Sequence, residues 1–201
     1  MLSGDGMRYL QAENARLRDE NERLMDENRR LRRAIHALNY LRGSLPEITP
    51  QVDALNLVYA LLEVALQAVD SEDGSLLLLD EASQELYFAA VLGRAADALC
   101  GHRIPMDEGV AGWCVVNRTH RLVQDAHLDP YFSSNTDRML HFETHSLIAV
   151  PLIWYERVFG ALEVVNTRSG APFTEEDLDI MSLVAHLIVQ ALAQAEGVPR
   201  V

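Results

Sequence analysis

Leu147-Ile-Ala-Val-Pro-Leu-Ile-Trp154, then Tyr155-Glu-Arg157, then Val158-Phe-Gly-Ala-Leu-Glu-Val-Val-Asn166, and after a short gap Phe173-Thr-Glu-Glu-Asp177, is the stretch on which the fold turns. Its first two apolar runs are rich in β-branched and aromatic residues and are joined by a short polar link. That pattern predicts an antiparallel hairpin over 147–166, turning at Tyr155-Glu-Arg157. Thr174 then stands before a long apolar segment, with Asp177 three residues on, as in a capping box. A helix from Glu175 to about Ala195 follows. Leu178, Ile180, Met181, Leu183, Val184, Leu187, Ile188, Val189 and Leu192 make it apolar nearly all round. Such a helix should pack on the sheet and on something more, the first helix of the domain and a dimer mate being the natural candidates.

Upstream of the hairpin, Leu122–Asp125 reads as a strand, and Ala126–Phe142 as an irregular segment with some helix. Val110–Asn117 reads as a short helix, and Glu85–Leu92 and Ser75–Asp80 as strands linked through Glu81, Ala82 and Ser83. Leu76-Leu-Leu-Leu79 is apolar without alternation, which suits a central strand covered on both faces. Before it, Val52, Leu55, Val58, Leu62, Ala65, Leu66 and Val69 form the apolar stripe of a helix started by Thr49 and Pro50 and closed by Gly74. The sum is an α+β domain, an antiparallel sheet flanked by helices. Gly43, Pro46 and Pro50 mark its boundary, which divides the chain into residues 1–45 and 46–201.

These runs, together with Gly109-Val-Ala-Gly-Trp113, Arg121-Leu-Val-Gln-Asp-Ala126 and His145-Ser-Leu-Ile-Ala-Val-Pro-Leu152, resemble in order and spacing the GAF family of small-molecule sensor domains. The resemblance implies a GAF-like sheet with a ligand pocket, and signalling through helices without chemistry. In that family the cyclic-nucleotide binders carry Asn-Lys, a variable gap, Phe, three residues, then Asp-Glu. Asn166, Phe173 and Asp177 match, but Thr167 replaces the Lys and Leu178 the Glu. The family's Lys–Asp bridge over the closed pocket therefore cannot form, and neither cyclic AMP nor cyclic GMP is the expected ligand. The family closes its pocket with the segment that here runs from Asp129 to His145. Its Phe132, Asn135, Asp137, Arg138, His141 and His145, with Trp113 nearby, are the candidate ligand-binding residues. The other reading of this segment is a surface loop anchored by its aromatics.

Ahead of the domain, Leu10, Leu17, Leu24, Leu31 and Leu38 recur every seven residues. Set at d, they place Met7, Asn14, Asn21, Asn28 and Ile35 at a, the pattern of a parallel two-stranded coiled coil. Glu13 would then face Arg18 of a partner, and Glu27 its Arg32. Three successive Asn at a stabilise little and instead specify register and strand number. Arg29, Arg30, Arg32 and Arg33 lie within the zipper rather than before it, so no basic helix is placed to enter a DNA groove. A homodimer joined by this coiled coil and by terminal helices is expected.

Composition narrows the chemistry further. The 201 residues carry a net charge of −13, and residues 1–45 hold nine Arg and seven acids, which leaves −15 for the rest. Such an acidic body disfavours nucleic acid. All seventeen basic residues are Arg, which excludes a Schiff-base lysine and a P-loop lysine. No apolar run approaches the ~18 residues that a bilayer span needs, so no membrane association is expected. The opening residues lack the blocks of a secretory signal, and two cysteines suit a reducing compartment; a cytoplasmic location is expected.

The resemblance also names enzymes and pigment carriers. Bilin-binding relatives use a Cys followed by His, and neither Cys100 nor Cys114 is so followed. Free-methionine-sulfoxide reductase relatives need Cys at the position of Ala111 and another before His145; both are missing. His141 and His145 lack the Glu placement of a zincin pair, so no metal or other cofactor is expected, with haem through one His the case left open. The expected function is a non-enzymatic, dimeric sensor that binds an unidentified small molecule and relays the event to a signalling partner. No output domain is expected after Ala195. The alternatives are a structural adaptor without ligand and, less favoured, a small enzyme on the same fold.

Overall fold

The computed structural model of the chain describes residues 7–25, residue 28 and residues 54–197. Residues 7–25 form helix α1. Leu10, Leu17 and Leu24 of the heptad seam are 44%, 52% and 52% exposed, an apolar stripe left about half open. Asn14 donates its amide to the carbonyl of Leu10, and Glu13 pairs with Arg16 of the same helix. The remaining heptads through Leu31, Ile35 and Leu38, the Glu27–Arg32 pairing, the breakers Gly43, Pro46 and Pro50, the Thr49–Pro50 start and Val52 lie outside the described residues.

The body is one six-stranded antiparallel sheet with helices on both faces. In chain order come α2 (Ala54–Ala68), β1 (Ser71–Asp80), β2 (Glu85–Leu92), α3 (Ala96–Leu99), β3 (Arg103–Pro105), α4 (Gly109–Asn117) and β4 (Arg121–Val123). A 3-10 turn (Ala126–Leu128), α5 (Asn135–Leu140), β5 (Leu147–Trp154), β6 (Arg157–Thr167) and α6 (Glu175–Ala195) complete it. The strands lie in the order β3-β2-β1-β6-β5-β4. The hairpin β5–β6 forms where the sequence places it, with Tyr155 at φ 51 in the turn.

Gly160 allows the bulge in this hairpin, where the register shifts between Leu152 and Ile153. Its φ is 149, and a Cβ there would lie 1.9 Å from the carbonyl oxygen of Leu77 on the neighbouring strand. Only a residue without a side chain lets β1 and β6 approach at this point.

One face of the sheet carries α2 and α6, packed on each other, α2 on β1 and β2 and α6 on β5 and β6. Val58, Leu62, Leu76, Ile148, Leu162 and Ile188 meet there without exposure. Thr174 and Asp177 form the expected capping box, and Phe173 and Leu178 occupy the positions of a hydrophobic staple within the same cluster. By length and composition α6 could cross a bilayer, with a mean hydropathy of 1.5. The sequence reading missed this because polar residues interrupt each apolar run. In the fold, that apolarity faces the sheet and α2, with Leu183 left 42% exposed.

The opposite face carries α3, α4 and the segment 126–145. Leu76 faces α2 and α6 while Leu77 faces this side, so the unbroken leucine run does serve a strand covered twice. Two boundaries differ from the sequence reading. Gly74 does not close a helix: α2 ends at Ala68, Asp70 turns the chain at φ 59, and Gly74 pairs within β1. The polar start of β1 is held because long β6 reaches Ser71, whose hydroxyl donates to Val165. The short elements α3 and β3 were missed because three or four residues show no period.

Candidate functional site

Segment 126–145 leaves the sheet after β4, arches over its face and returns at β5. Local chemistry ties it down at both ends. Asp125 caps the 3-10 turn by accepting from the His127 N–H, and the Ala126 N–H donates to the carbonyl of His145 at 2.7 Å. Arg121 pairs with Asp129 at 2.7 Å, and its guanidinium lies over the adjoining rings of Trp113 and Tyr131, 4.8 Å from each. At the return, Asp137 accepts from both the N–H and the hydroxyl of Thr144 at 2.8 Å. Asn166, at φ 53, donates its amide to the Glu143 carbonyl and accepts from the N–H groups of His145 and Ser146. Asn tolerates this left-handed conformation better than most residues, which accounts for its place at the end of β6.

Beneath the arch lies a cavity of about 820 Å³, its open mouth included. Leu77, Phe88, Val91 and Leu99 line it from the sheet and α3, Ala111 from α4, and Phe132, Leu140 and Phe142 from the arch. Four carboxylic acids also line it: Asp73, Glu108, Asp137 and Glu163. Asp73 accepts from the Arg94 N–H and guanidinium, and Glu108 from Ser133 and Asn135. Glu163, on β6, has no hydrogen-bond or ion-pair partner among the described residues. Burial, and secondarily the charge of Asp137, push its carboxyl up to about 7.

Of the sequence candidates, Phe132 and Asp137 line this cavity. Trp113 packs with Arg121 and Tyr131 instead, and Asn135 braces Glu108. Arg138 is exposed and bonds back to Ser134 and Asn135, and His141 is the exposed cap of α5. His145 lies outside with its side chain 60% exposed, beside Glu143. Asn166, Phe173 and Asp177 act in the scaffold, as strap anchor, core residue and helix cap. Sequence reading missed Glu163, Asp73 and Glu108. For Glu163 a signal existed: it is an acid within an otherwise apolar strand, between Leu162 and Val164.

Two further groups bear on chemistry. Cys114 is fully buried with its thiol 3.5 Å from the Ala149 carbonyl, and desolvation first, then Glu163, push it up to about 12. Such a thiol supplies no nucleophile at neutral pH. His127, Glu143 and His145 bring one ligand atom each within 4.8 Å, all on exposed side chains. The sequence had paired His145 with His141 instead.

The model of the GAF domain family matches residues 53–192. A GAF domain of a phosphoenolpyruvate-protein phosphotransferase from Coxiella burnetii shares the fold with a TM-score of 0.69 at 20% identity, over 83% of this chain and 99% of that one. A free methionine-R-sulfoxide reductase from Neisseria meningitidis, solved with its substrate, does so with a TM-score of 0.63 at 22% identity, over 78% and 86%. By sequence, the cone cGMP-specific 3',5'-cyclic phosphodiesterase subunit alpha' of Mus musculus is 27% identical over 88 residues, 44% of this chain and 10% of that protein. The chain spans only about a tenth to a fifth of the length of the curated phosphodiesterase relatives it matches.

Proposed function

The chain belongs to the GAF domain family, and from that premise we propose that it is a non-enzymatic, homodimeric sensor module whose small-molecule ligand occupies the cavity under residues 126–145. The observation that carries this reading is the cavity itself. An apolar chamber with a few directed polar groups lies under an arch held by Asn166, Asp137 and the Arg121–Asp129 pair. A ligand that binds the closed arch better than an open one shifts the population toward closure, and the energy available is that difference in affinity. Ser71, Asp73 and Ser75 tie the cavity side of β1 to strands that also carry α2 and α6. Through those helices, and a coiled coil seeded by α1, the event would reach a partner protein.

Mass spectrometry of the purified full chain under non-denaturing conditions tests assembly and occupancy together. A dimer that retains, or takes up, one small molecule per subunit is expected. A monomer overturns the dimeric reading. Hydrogen exchange provides the second check: ligand should slow exchange across 126–145, and unchanged exchange there at saturation places the ligand elsewhere.

A further inference from the structure

Every acid in the cavity wall but one is answered from within the protein. Arg94 meets Asp73, Ser133 and Asn135 meet Glu108, and Thr144 meets Asp137 twice. Glu163 alone has no such partner. No Arg or His is among the residues lining the chamber, which leaves four carboxyls without a basic residue in the wall. Strand alternation forces the placement, because Leu162 and Val164 are fully buried on the other face and Glu163 must point to this one.

A carboxyl taken out of water is paired, hydrogen-bonded or neutralised. None of the described residues supplies a counter-charge to Glu163, and burial, with the charge of Asp137, pushes its carboxyl up to about 7. A ligand cation would supply what the wall lacks. Phe88, Phe132 and Phe142 bring aromatic rings to the same chamber, suited to an apolar or aromatic body and to a cation over a ring. Phe142 already holds the Arg94 guanidinium 4.6 Å from its centroid.

Building on the sensor reading above, we infer that the cavity takes a cationic small molecule, an ammonium or amidinium on an apolar body, with its charge seated against Glu163 and Asp137. Anions of similar size meet a wall in which only Asp73, of the four carboxyls, has a guanidinium partner, and are rejected by both charge and desolvation.

Calorimetry on the full chain with two matched pairs tests this: phenethylamine against phenylacetate, and benzamidine against benzoate. The two cations should bind and the two carboxylates should not. Glu163→Gln, nearly isosteric and always neutral, should weaken both cations at least tenfold. Thr136→Trp, which fills the chamber from the arch, should abolish their binding. Carboxylates that bind the parent protein while the cations do not, or cations that bind neither parent nor variant at millimolar concentration, overturn the inference. Carboxylate binding blocked by Thr136→Trp would leave the cavity as the ligand site and remove only the cationic class. Cation binding unchanged in both variants would remove the cavity as the site, and with it the sensor reading on which the inference rests.

Discussion

The two faces of the sheet are built to different standards. Under α2 and α6, Val58, Leu62, Leu76, Ile148, Leu162, Met181 and Ile188 are buried without remainder, and the acid nearby, Asp177, is satisfied inside a helix cap. Under the arch, a chamber remains between Leu77, Phe88, Ala111 and Phe132, and Glu163 stands in it without a partner. Both faces are served by the same strands, alternating residue by residue from Leu76 to Leu77 and from Leu162 to Glu163. Close packing stabilises a fold, whereas a void and a half-buried, desolvated acid both destabilise it. A domain that keeps the second arrangement beside the first separates where it is held together from where it binds.

The strongest way to break this comparison is Phe173→Ala. Phe173 is wholly buried on the helix face, and its loss should lower stability by about 3–5 kcal/mol in urea unfolding. A loss below about 1 kcal/mol would mean that the helix face is not the main source of stability.

Glu163→Gln sharpens the comparison from the other face, through pH. A carboxyl raised from 4.5 to about 7 binds more protons folded than unfolded between those values. Stability contributed by this group is therefore greatest below pH ~4.5 and falls as pH rises to about 7, by up to about 3 kcal/mol at ~1.36 kcal/mol per unit. The variant should remove that fall and be the more stable protein at pH 8. Urea midpoints for both proteins at pH 5 and pH 8 measure it, and parallel pH profiles would show that Glu163 is not desolvated.

Asp177→Ala comes next. It removes the acceptor for the Thr174 N–H and hydroxyl, and should cost about 1–2 kcal/mol by the same unfolding assay. Cyclic-nucleotide affinity has no part in that effect, because Asp177 serves the cap. The smallest change in stability is expected from Phe132→Ala, within about 1 kcal/mol, since the ring lines a half-open chamber. Its loss should show in ligand affinity by calorimetry. A stability loss matching that of Phe173→Ala would erase the distinction between the faces.

Within the family's matching residues, legibility divided sharply. Asn166, Phe173 and Asp177 could be located by spacing alone, yet each proves to be a scaffold residue: a strap anchor, a core ring and a cap. Leu178, read as a departure from the cyclic-nucleotide pattern, takes the staple position beside Phe173 in the core. Among the arch residues, Phe132 and Asp137 reach the chamber, while Arg138, His141 and His145 point outside. The resemblance placed all of them on the segment that covers the chamber. It could not say which way each side chain faces in a segment without a regular period.

The amino-acid sequence by itself determined the hairpin at 147–166, strand Glu85–Leu92, the capped helix Glu175–Ala195 and the doubly covered leucine strand. These rest on alternation, turn chemistry and bonds spanning three residues, all interactions between near neighbours in the chain. Only the tertiary structure decided that Gly74 lies inside a strand, that the chamber exists, and that Asp73, Glu108, Asp137 and Glu163 share its wall. Those four acids come from separate segments of the chain, and what distinguishes them is which has a partner and how far water is excluded. Both depend on contacts between residues distant in sequence, which no local pattern encodes.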